Sequence, residues 1–258
     1  MNDDFFNLER KFNARLGIYA IDTGSKKTVN FRGDERFPFA STYKALAVGA
    51  LLQQKSINEL DEIISFKKKD LVPYSPITEQ HIEKGMALKD IADAAIRYSD
   101  NTAGNILLKK LGGPSGFEMA LRQIGDSVTI SSRYEPELND AIQGDIRDTS
   151  TPRALATSLQ AYSTTDLLPV KNQELLNGWL RENTTGDNLI RAGLPKDWDI
   201  GDKSGAGSFG TRNDLAIVWP TVGEPIVIAI LSTKNTRDAN FTDAIIADAA
   251  RIIIRALK

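Results

Sequence analysis

A serine and a lysine stand three positions apart in the segment S-T-Y-K, as Ser41 and Lys44. On a helix, this spacing places both side chains on one face. A serine hydroxyl is a weak nucleophile and needs a base within hydrogen-bond reach. The apolar residues that follow Lys44 predict a buried amine, and burial lowers the pKa of a lysine toward values at which it accepts a proton. The pair predicts nucleophilic catalysis, although a capping serine followed by a surface lysine gives the same pattern.

The segment S-D-N, from Ser99 to Asn101, lies between two helical patterns. Each of its residue types is a good helix N-cap, and Asp100 is predicted to have that role. The two flanking residues carry groups that suit a substrate. The Ser99 hydroxyl can pass a proton to a leaving nitrogen, and the Asn101 amide can bind a substrate amide.

The range Arg133–Thr149 has mixed polarity, a proline and little periodicity, which predicts a long surface loop. Loops of this length are often functional and Ω-shaped. Within it, Glu135 offers a carboxylate that could hydrolyse a covalent intermediate, and Asn139 follows four positions later. Arg133 and Asp148 are predicted to pair and to close the neck of the loop. The alternative for Glu135 is an ordinary solvated carboxylate.

A cluster of small residues follows Lys203, in the sequence K-S-G-A-G that precedes the C-terminal strands. Small residues such as Ser204, Gly205 and Ala206 allow a substrate backbone to lie against a strand edge. Lys203 supplies a positive charge for a substrate carboxylate. A glycine-rich turn before a hairpin is the alternative interpretation.

The elements that must position these residues have clear patterns at both ends of the chain. Strands rich in β-branched residues form two predicted hairpins, over Ala14–Asp22 with Thr28–Phe31 and over Asp214–Pro220 with Pro225–Thr233. Apolar residues at helical spacing predict helices over Ser41–Gln54, Leu88–Tyr98, Thr102–Leu111, Thr151–Tyr162, Lys171–Glu182 and Thr242–Lys258. The first of these is apolar nearly all round, which predicts a buried helix.

Strands at both termini with helices between them predict an α+β fold. An antiparallel sheet built from both termini would be flanked by helices, and an all-helical lobe would be inserted into it. We expect one discontinuous α/β lobe from residues 1–36 and 185–258, and a mainly helical lobe from residues 37–184 that carries the long loop. The active site is expected between the two lobes.

Composition excludes several classes of protein. The chain has 258 residues and a formal net charge of −2, so no basic surface for nucleic acid is predicted. It has no cysteine, which excludes a thiol nucleophile, and its one histidine, His81, lies in a polar segment typical of a surface. No stretch approaches about 18 apolar residues, so no membrane span is predicted. Neither a metal nor a cofactor is expected, and any base in the site is lysine or glutamate.

In this order and spacing, the motifs resemble those of class A (serine) β-lactamases, over nearly the whole chain. P-Y-S-P at residues 73–76 and G-T-R at residues 210–212 extend the match. The resemblance implies a fold shared with penicillin-binding proteins and hydrolysis of penicillins and cephalosporins through a serine acyl-enzyme, which gives antibiotic resistance. It also implies a small-molecule β-lactam as the partner.

Individual roles follow from the resemblance. Ser41 would be the acylated nucleophile, Ser99 would pass a proton to the lactam nitrogen, and Glu135 with Asn139 would hold the deacylating water. Lys44 and Glu135 both remain candidates for the acylation base. Substrate contacts would come from Tyr74 at the entrance and from the carboxylate-binding and backbone groups of the strand segment: Lys203, Ser204, Gly205, Ala206 and Arg212.

Three alternatives share part of the pattern. A penicillin-binding transpeptidase or carboxypeptidase has the serine, S-D-N and lysine motifs but lacks the carboxylate and amide of the loop. A β-lactam sensor acylates and holds the adduct, and an inactive relative keeps the fold alone. The N-terminal residues lack a basic segment followed by an apolar one, so no signal peptide is predicted in them. By resemblance, the mature protein is expected to be periplasmic or secreted, and a monomer is expected.

Overall fold

The computed structural model describes residues 1–257. Its helices are α1 (Asn2–Phe12), α2 (Tyr43–Gln54), α3 (Leu88–Arg97), α4 (Asn101–Lys110), α5 (Gly113–Gln123), α6 (Pro152–Thr164), α7 (Val170–Arg181), α8 (Ile190–Gly193) and α9 (Asp243–Leu257). Its strands are β1 (Arg15–Asp22), β2 (Thr28–Phe31), β3 (Phe37–Pro38), β4 (Ile63–Ile64), β5 (Met86–Ala87), β6 (Thr149–Ser150), β7 (Asp199–Gly207), β8 (Thr211–Trp219) and β9 (Ile226–Thr233). Within this described range, no helix is both long and apolar enough to span a bilayer.

A five-stranded sheet in the order β2-β1-β9-β8-β7 joins the two ends of the chain. All its neighbouring strands are antiparallel, and the central pairing aligns β1 with β9 along its whole length, from Arg15 opposite Thr233 to Asp22 opposite Ile226. The prediction of an α+β fold with a sheet built from both termini is confirmed. Both predicted hairpins are present, as β1 with β2 and β8 with β9.

Alternation along the central strands divides the core between the two faces of the sheet. Leu215 and Ile217 pack into the cluster formed with helices α2 to α7, whereas Ala216 and Val218 pack against α1 and α9. Successive residues of a strand point to opposite faces, so one strand serves both clusters. Helix α2 lies within the first cluster, with every residue from Tyr43 to Leu52 buried. This confirms the predicted buried helix.

The segment around Lys203 is not the glycine-rich turn of the alternative interpretation, because Asp199–Gly207 is itself strand β7 at an edge of the sheet. Glycine, aspartate and lysine are depleted in strands, so this strand was not predicted. Helices α1, α5 and α8 were not predicted either. The predicted C-terminal helix is found as α9, and its expected last residue, Lys258, lies outside the described residues.

Candidate active site

Ser41 lies in a short 3-10 turn, Ala40–Thr42, that leads directly into helix α2. The preceding residue, Ala40, has a left-handed backbone with φ of 46°, a conformation that L-residues avoid unless the surroundings hold them in it. The edge strand β7 supports the turn from the other side, because a Cβ added to Gly205 would lie only 3.2 Å from the Ser41 nitrogen. Ser41 is therefore held between a helix start and a strand edge.

The amine of Lys44 occupies the centre of a fully buried polar cluster. Its Nζ donates to Ser41 Oγ at 3.0 Å, to the Ser99 carbonyl oxygen at 2.9 Å and to Asn101 Oδ1 at 2.7 Å. Its ion-pair partner is Glu135 Oε1, at 3.1 Å. Burial lowers the pKa of Lys44 below the ordinary value, although the Glu135 carboxylate opposes this shift. The amine can thus exchange a proton with the serine hydroxyl.

Glu135 is also buried, and its Oε1 accepts a hydrogen bond from Ser41 Oγ at 3.4 Å. The Asn139 side-chain amide donates to the other carboxylate oxygen, Oε2. The backbone of Glu135 is held on both sides by Asn105, which accepts from its N–H at 2.8 Å and donates to its carbonyl at 2.9 Å. The two candidate bases, Lys44 and Glu135, therefore both lie within reach of one hydroxyl.

The loop that carries Glu135 is closed at its neck by charge. Arg133 Nε and Asp148 Oδ2 are 2.5 Å apart, and a second arm of the same arginine reaches Asp140 Oδ2 at 3.0 Å. Asp148 is buried, and its other oxygen accepts from the backbone N–H groups of Ser132 and Arg133 at 2.8 and 3.0 Å. A buried carboxylate with so many donors fixes both ends of the loop.

Lys203 reaches the same cluster from strand β7. Its Nζ donates to Ser99 Oγ at 3.0 Å and to the Ser204 carbonyl oxygen at 2.8 Å. The side chain is fully buried, and burial, together with the nearby charge of Lys44, holds its pKa well below the ordinary value for lysine. Ser99 therefore has one lysine on its carbonyl oxygen and the other on its hydroxyl.

Above this cluster lies an open cleft of about 220 Å³. It is lined by Ser41, Tyr74, Ser99, Asn101, Asn139, Thr185, Ser204, Gly205, Ala206 and Arg212. The structure thus brings together nearly every residue that the sequence proposed, with Lys44, Glu135 and Lys203 buried next to it. Tyr74 is 61% exposed and lies at the rim.

The strand side of the cleft presents a cation and two hydroxyls. Arg212 Nε donates to Asp243 Oδ1 at 2.7 Å, and its guanidinium lies 4.8 Å from the centre of the Phe241 ring. The hydroxyls of Ser204 and Thr185 are 2.6 Å apart. Such an arrangement suits an anionic group of a ligand.

Several supporting residues were missed by the sequence analysis. Asn105 and Thr185 carry no local signal, because their partners lie 30 and 19 positions away along the chain. On β7 itself, Asp202 accepts from Asn183 Nδ2 at 2.5 Å and from Arg191 Nη2 at 2.7 Å, although burial raises its pKa. Only the alternation of β7, had it been recognised, would have placed Asp202 on the face opposite to Lys203.

A larger groove of about 820 Å³ lies elsewhere, along helices α3 and α7. Within the described residues, its lining contains no serine, threonine or cysteine, and its charges are partly exposed pairs such as Arg97 with Asp93. The site is therefore identified by its buried reactive groups and not by the volume of a groove.

His81, the one histidine of the chain, is exposed in a short 3-10 turn.

The chain is similar to known proteins in both sequence and structure. The sequence profile described as "Beta-lactamase enzyme family" matches residues 2–257. The chain is 59% identical over 257 residues to a beta-lactamase of Bacillus subtilis (strain 168), covering 100% of this chain and 84% of the other. It is 56% identical over 252 residues to beta-lactamase 1 of Bacillus cereus, covering 98% and 82%.

Solved structures agree with this match. A class A beta-lactamase from Clostridium kluyveri DSM 555 superimposes with a TM-score of 0.98 at 51% identity, covering 99% of this chain and 98% of the other. A halotolerant bacterial beta-lactamase gives a TM-score of 0.97 at 55% identity, covering 98% of both chains. At such identity, the likeness concerns the family and not only the fold.

Proposed function

Because this chain belongs to the beta-lactamase enzyme family, we propose that it opens β-lactam rings through a covalent acyl-enzyme on Ser41. The chain is a hydrolase of β-lactams, and destruction of these compounds gives antibiotic resistance. We assign the residue that attacks, the residues that transfer protons, and those that direct water onto the acyl-enzyme. Penicillins and cephalosporins are the proposed substrates.

In the acylation step, Ser41 Oγ attacks the lactam carbonyl carbon and loses its proton. Lys44 Nζ, in its neutral form, and the Glu135 carboxylate are the two candidate acceptors, and their distances from Ser41 Oγ of 3.0 and 3.4 Å support either one. The negative charge that develops on the carbonyl oxygen is stabilised by the backbone N–H groups of Ser41 and Ala206. One donor of this kind is typically worth about 3–4 kcal/mol in the transition state. The close approach of Gly205 to Ser41 supports this assignment.

Collapse of the tetrahedral adduct breaks the carbon–nitrogen bond of the ring. The leaving nitrogen takes the Ser99 hydroxyl proton, and the Lys203 ammonium replaces the proton on Ser99 Oγ. The contact of Lys203 Nζ with the Ser99 hydroxyl at 3.0 Å supports this relay. Proton transfer by a positioned side chain contributes roughly 10²–10⁴-fold.

In the deacylation step, Glu135 accepts a proton from a water molecule that is also bound by the Asn139 amide. The water oxygen attacks the ester carbonyl, the bond to Ser41 Oγ breaks, and the serine regains a proton. The product is the ring-opened acid. The side-chain contact of Asn139 with Glu135 and the burial of the carboxylate support the pairing.

Recognition is assigned to the strand side of the cleft. Lys203, Ser204 and Arg212 would bind the substrate carboxylate, Asn101 its side-chain amide, and Tyr74 would line the entrance. The substrate would then lie between the lobe of residues 1–36 and 185–258 and the helical lobe of residues 37–184, with the last residue of the first lobe outside the described range.

One observation carries the proposal: a buried carboxylate, Glu135, reaches the same serine as the buried amine of Lys44. A transpeptidase or a sensor has no need of such a group, because its adduct is not meant to react with water. The carboxylate of Glu135 would therefore distinguish an enzyme that hydrolyses its acyl-enzyme from one that remains acylated.

The test is hydrolysis of a chromogenic cephalosporin over many equivalents per enzyme. Sustained turnover is expected for the wild type, and a burst of about one equivalent followed by arrest is expected for Glu135→Gln. Intact-mass spectrometry should then find the adduct on the variant. The matched control is Glu137→Gln, an exposed carboxylate in the same loop, which should turn over like the wild type. Arrest of the wild type itself would move the assignment to a penicillin-binding enzyme or a sensor.

A further inference from the structure

Tyr43 lies between the nucleophile and Lys44 in the sequence, and its side chain is almost completely buried, with 1% exposed. Its ring packs against Phe39 and Phe117, with centroid distances of 5.9 and 6.0 Å. Those contacts satisfy the ring but not the hydroxyl, which has no hydrogen-bond partner among the described protein atoms. Buried hydroxyls nearly always have a partner, so this oxygen requires an explanation.

The hydroxyl lies against helix α4, next to the side chain of Lys44. A Cβ added to Gly104 would be 2.5 Å from Tyr43 Oη and 2.7 Å from Lys44 Cε, so helix α4 meets both side chains at one point. The next residue of α4, Asn105, is the one that holds the backbone of Glu135 from both sides. The Lys44 amine is 5.9 Å from the centre of the tyrosine ring. Helix α4 therefore carries both the contact with Tyr43 Oη and the residue that holds the backbone of Glu135.

The electrostatic surroundings restrict what this hydroxyl can do. Burial, together with the charges of Glu135 and Asp148, raises the pKa of Tyr43 well above its ordinary value. The phenol stays protonated, so it is a hydrogen-bond donor within the electrostatic influence of two carboxylates. A donor at this place favours the ionised state of the carboxylates. Where buried polar groups do not touch directly, an internal water molecule commonly bridges them.

We propose that Tyr43 is a positioning residue whose hydroxyl, through an internal water, supports the underside of the loop and holds the Glu135 carboxylate in the orientation that deacylation needs. This inference rests on the proposed role of Glu135 as the deacylation base. It assigns no contact between Tyr43 and the substrate. In acylation, Lys44 is a second candidate acceptor beside Ser41, whereas in the proposed deacylation Glu135 acts alone. Loss of the hydroxyl should therefore slow deacylation more than acylation.

The experiment compares Tyr43→Phe with wild type by stopped-flow measurement of acylation and deacylation by benzylpenicillin. One lost hydrogen bond predicts a fall of roughly 3- to 10-fold in the deacylation rate, with the acylation rate within about twofold of wild type. The control is Tyr162→Phe, since Tyr162 is another buried tyrosine whose hydroxyl has no protein partner, but its charged neighbour is Asp126. Both of its rates should stay at the wild-type level.

Two results would overturn the inference: unchanged rates in Tyr43→Phe, or an equal fall of both rates, which would indicate a general effect on helix α2. Glu135→Gln is measured in parallel, and if it does not accumulate adduct, the proposed function fails independently of Tyr43. Should Tyr43→Phe not fold, a crystal structure of the wild type decides, because a water within hydrogen-bond distance of Tyr43 Oη is expected and its absence contradicts the proposal.

Discussion

Lys44 lies on helix α2, on the helical side of the cleft, and Lys203 lies on strand β7, on the strand side. The two side chains are equally buried but differ in their charged partners. Both side chains are fully buried, and burial lowers the pKa of both. Lys44 forms an ion pair with Glu135 at 3.1 Å, whereas Lys203 forms no ion pair with a carboxylate in the described part of the chain. The charge of Lys44 moreover adds to the lowering at Lys203.

In the proposed mechanism, this difference lets one residue type serve two purposes. On the helical side, the paired amine would hold the loop carboxylate in place and exchange a proton with Ser41. On the strand side, an amine without an ion-pair partner would bind an anionic group of the substrate. Variants on each side of the cleft separate the two roles.

The largest effect is expected from Ser41→Ala, which removes the chemistry of the helical side alone. The kcat should fall on the order of 10⁶-fold, as for other enzymes that lose a nucleophile. Substrate affinity, measured by equilibrium binding, should change little because the strand side remains intact. A variant that retains more than about 1% of wild-type turnover would contradict the assignment of Ser41.

The next effect concerns stability and contrasts the two lysines directly. Lys44→Met leaves the buried Glu135 carboxylate without its partner, which should lower the free energy of unfolding by about 3–5 kcal/mol. Lys203→Met removes a buried cation that has no such pair, so the free energy of unfolding should equal or exceed that of the wild type. Urea unfolding followed by circular dichroism measures both, with exposed Lys68→Met as control. An equal loss of unfolding free energy in Lys44→Met and Lys203→Met would show that the ion pair with Glu135 does not distinguish the two lysines.

A smaller effect is expected from Gly207→Ala, at the contact between strand β7 and the loop that carries Asn139. A Cβ added to Gly207 of β7 would lie 2.7 Å from the Asn139 carbonyl oxygen, which also accepts from Ser208 N–H at 3.0 Å. Gly207→Ala should displace Asn139 and slow deacylation by about 10- to 100-fold, while acylation changes less. Single-turnover kinetics separates the two steps. Gly178→Ala, at a position with open space around it, should leave both rates unchanged.

The smallest effect is a pH dependence of stability on the strand side. Below the folded-state pKa of Lys203, both states hold the proton and the folded state carries the full penalty of a buried charge. As pH rises from that pKa toward the unfolded value of about 10.4, the folded state releases its proton first, so stability increases. The slope is at most about 1.4 kcal/mol per pH unit.

This slope is measured by urea unfolding near neutral pH and near pH 9, for wild type and Lys203→Met. The wild type should gain stability relative to the variant as pH rises, because only the wild type has the Lys203 amine that releases its proton in this range. If the difference in unfolding free energy between wild type and variant stays constant, or changes in the opposite direction, burial of the Lys203 charge does not destabilise the folded state.

Much of the fold and of the site could be predicted from the sequence because the relevant signals are local. The spacing of Ser41 and Lys44 fixes their common face within one helical turn, and the apolar residues of α2 predict its burial. The strand patterns at the two termini predict a shared sheet. Arg133 and Asp148 have opposite charges at the ends of one loop, and the structure places them 2.5 Å apart.

What the sequence alone determined is therefore the set of reactive residues and the elements that carry them. The tertiary structure decided which of these residues meet: Glu135 reaches Ser41 across 94 positions, and Lys203 reaches Ser99 across 104. It also decided that one buried lysine is paired and the other is not, that β7 is an edge strand, and that Asn105 holds the loop. These are outcomes of packing between distant elements, and no local periodicity or composition encodes a distance between side chains that only the complete core brings together.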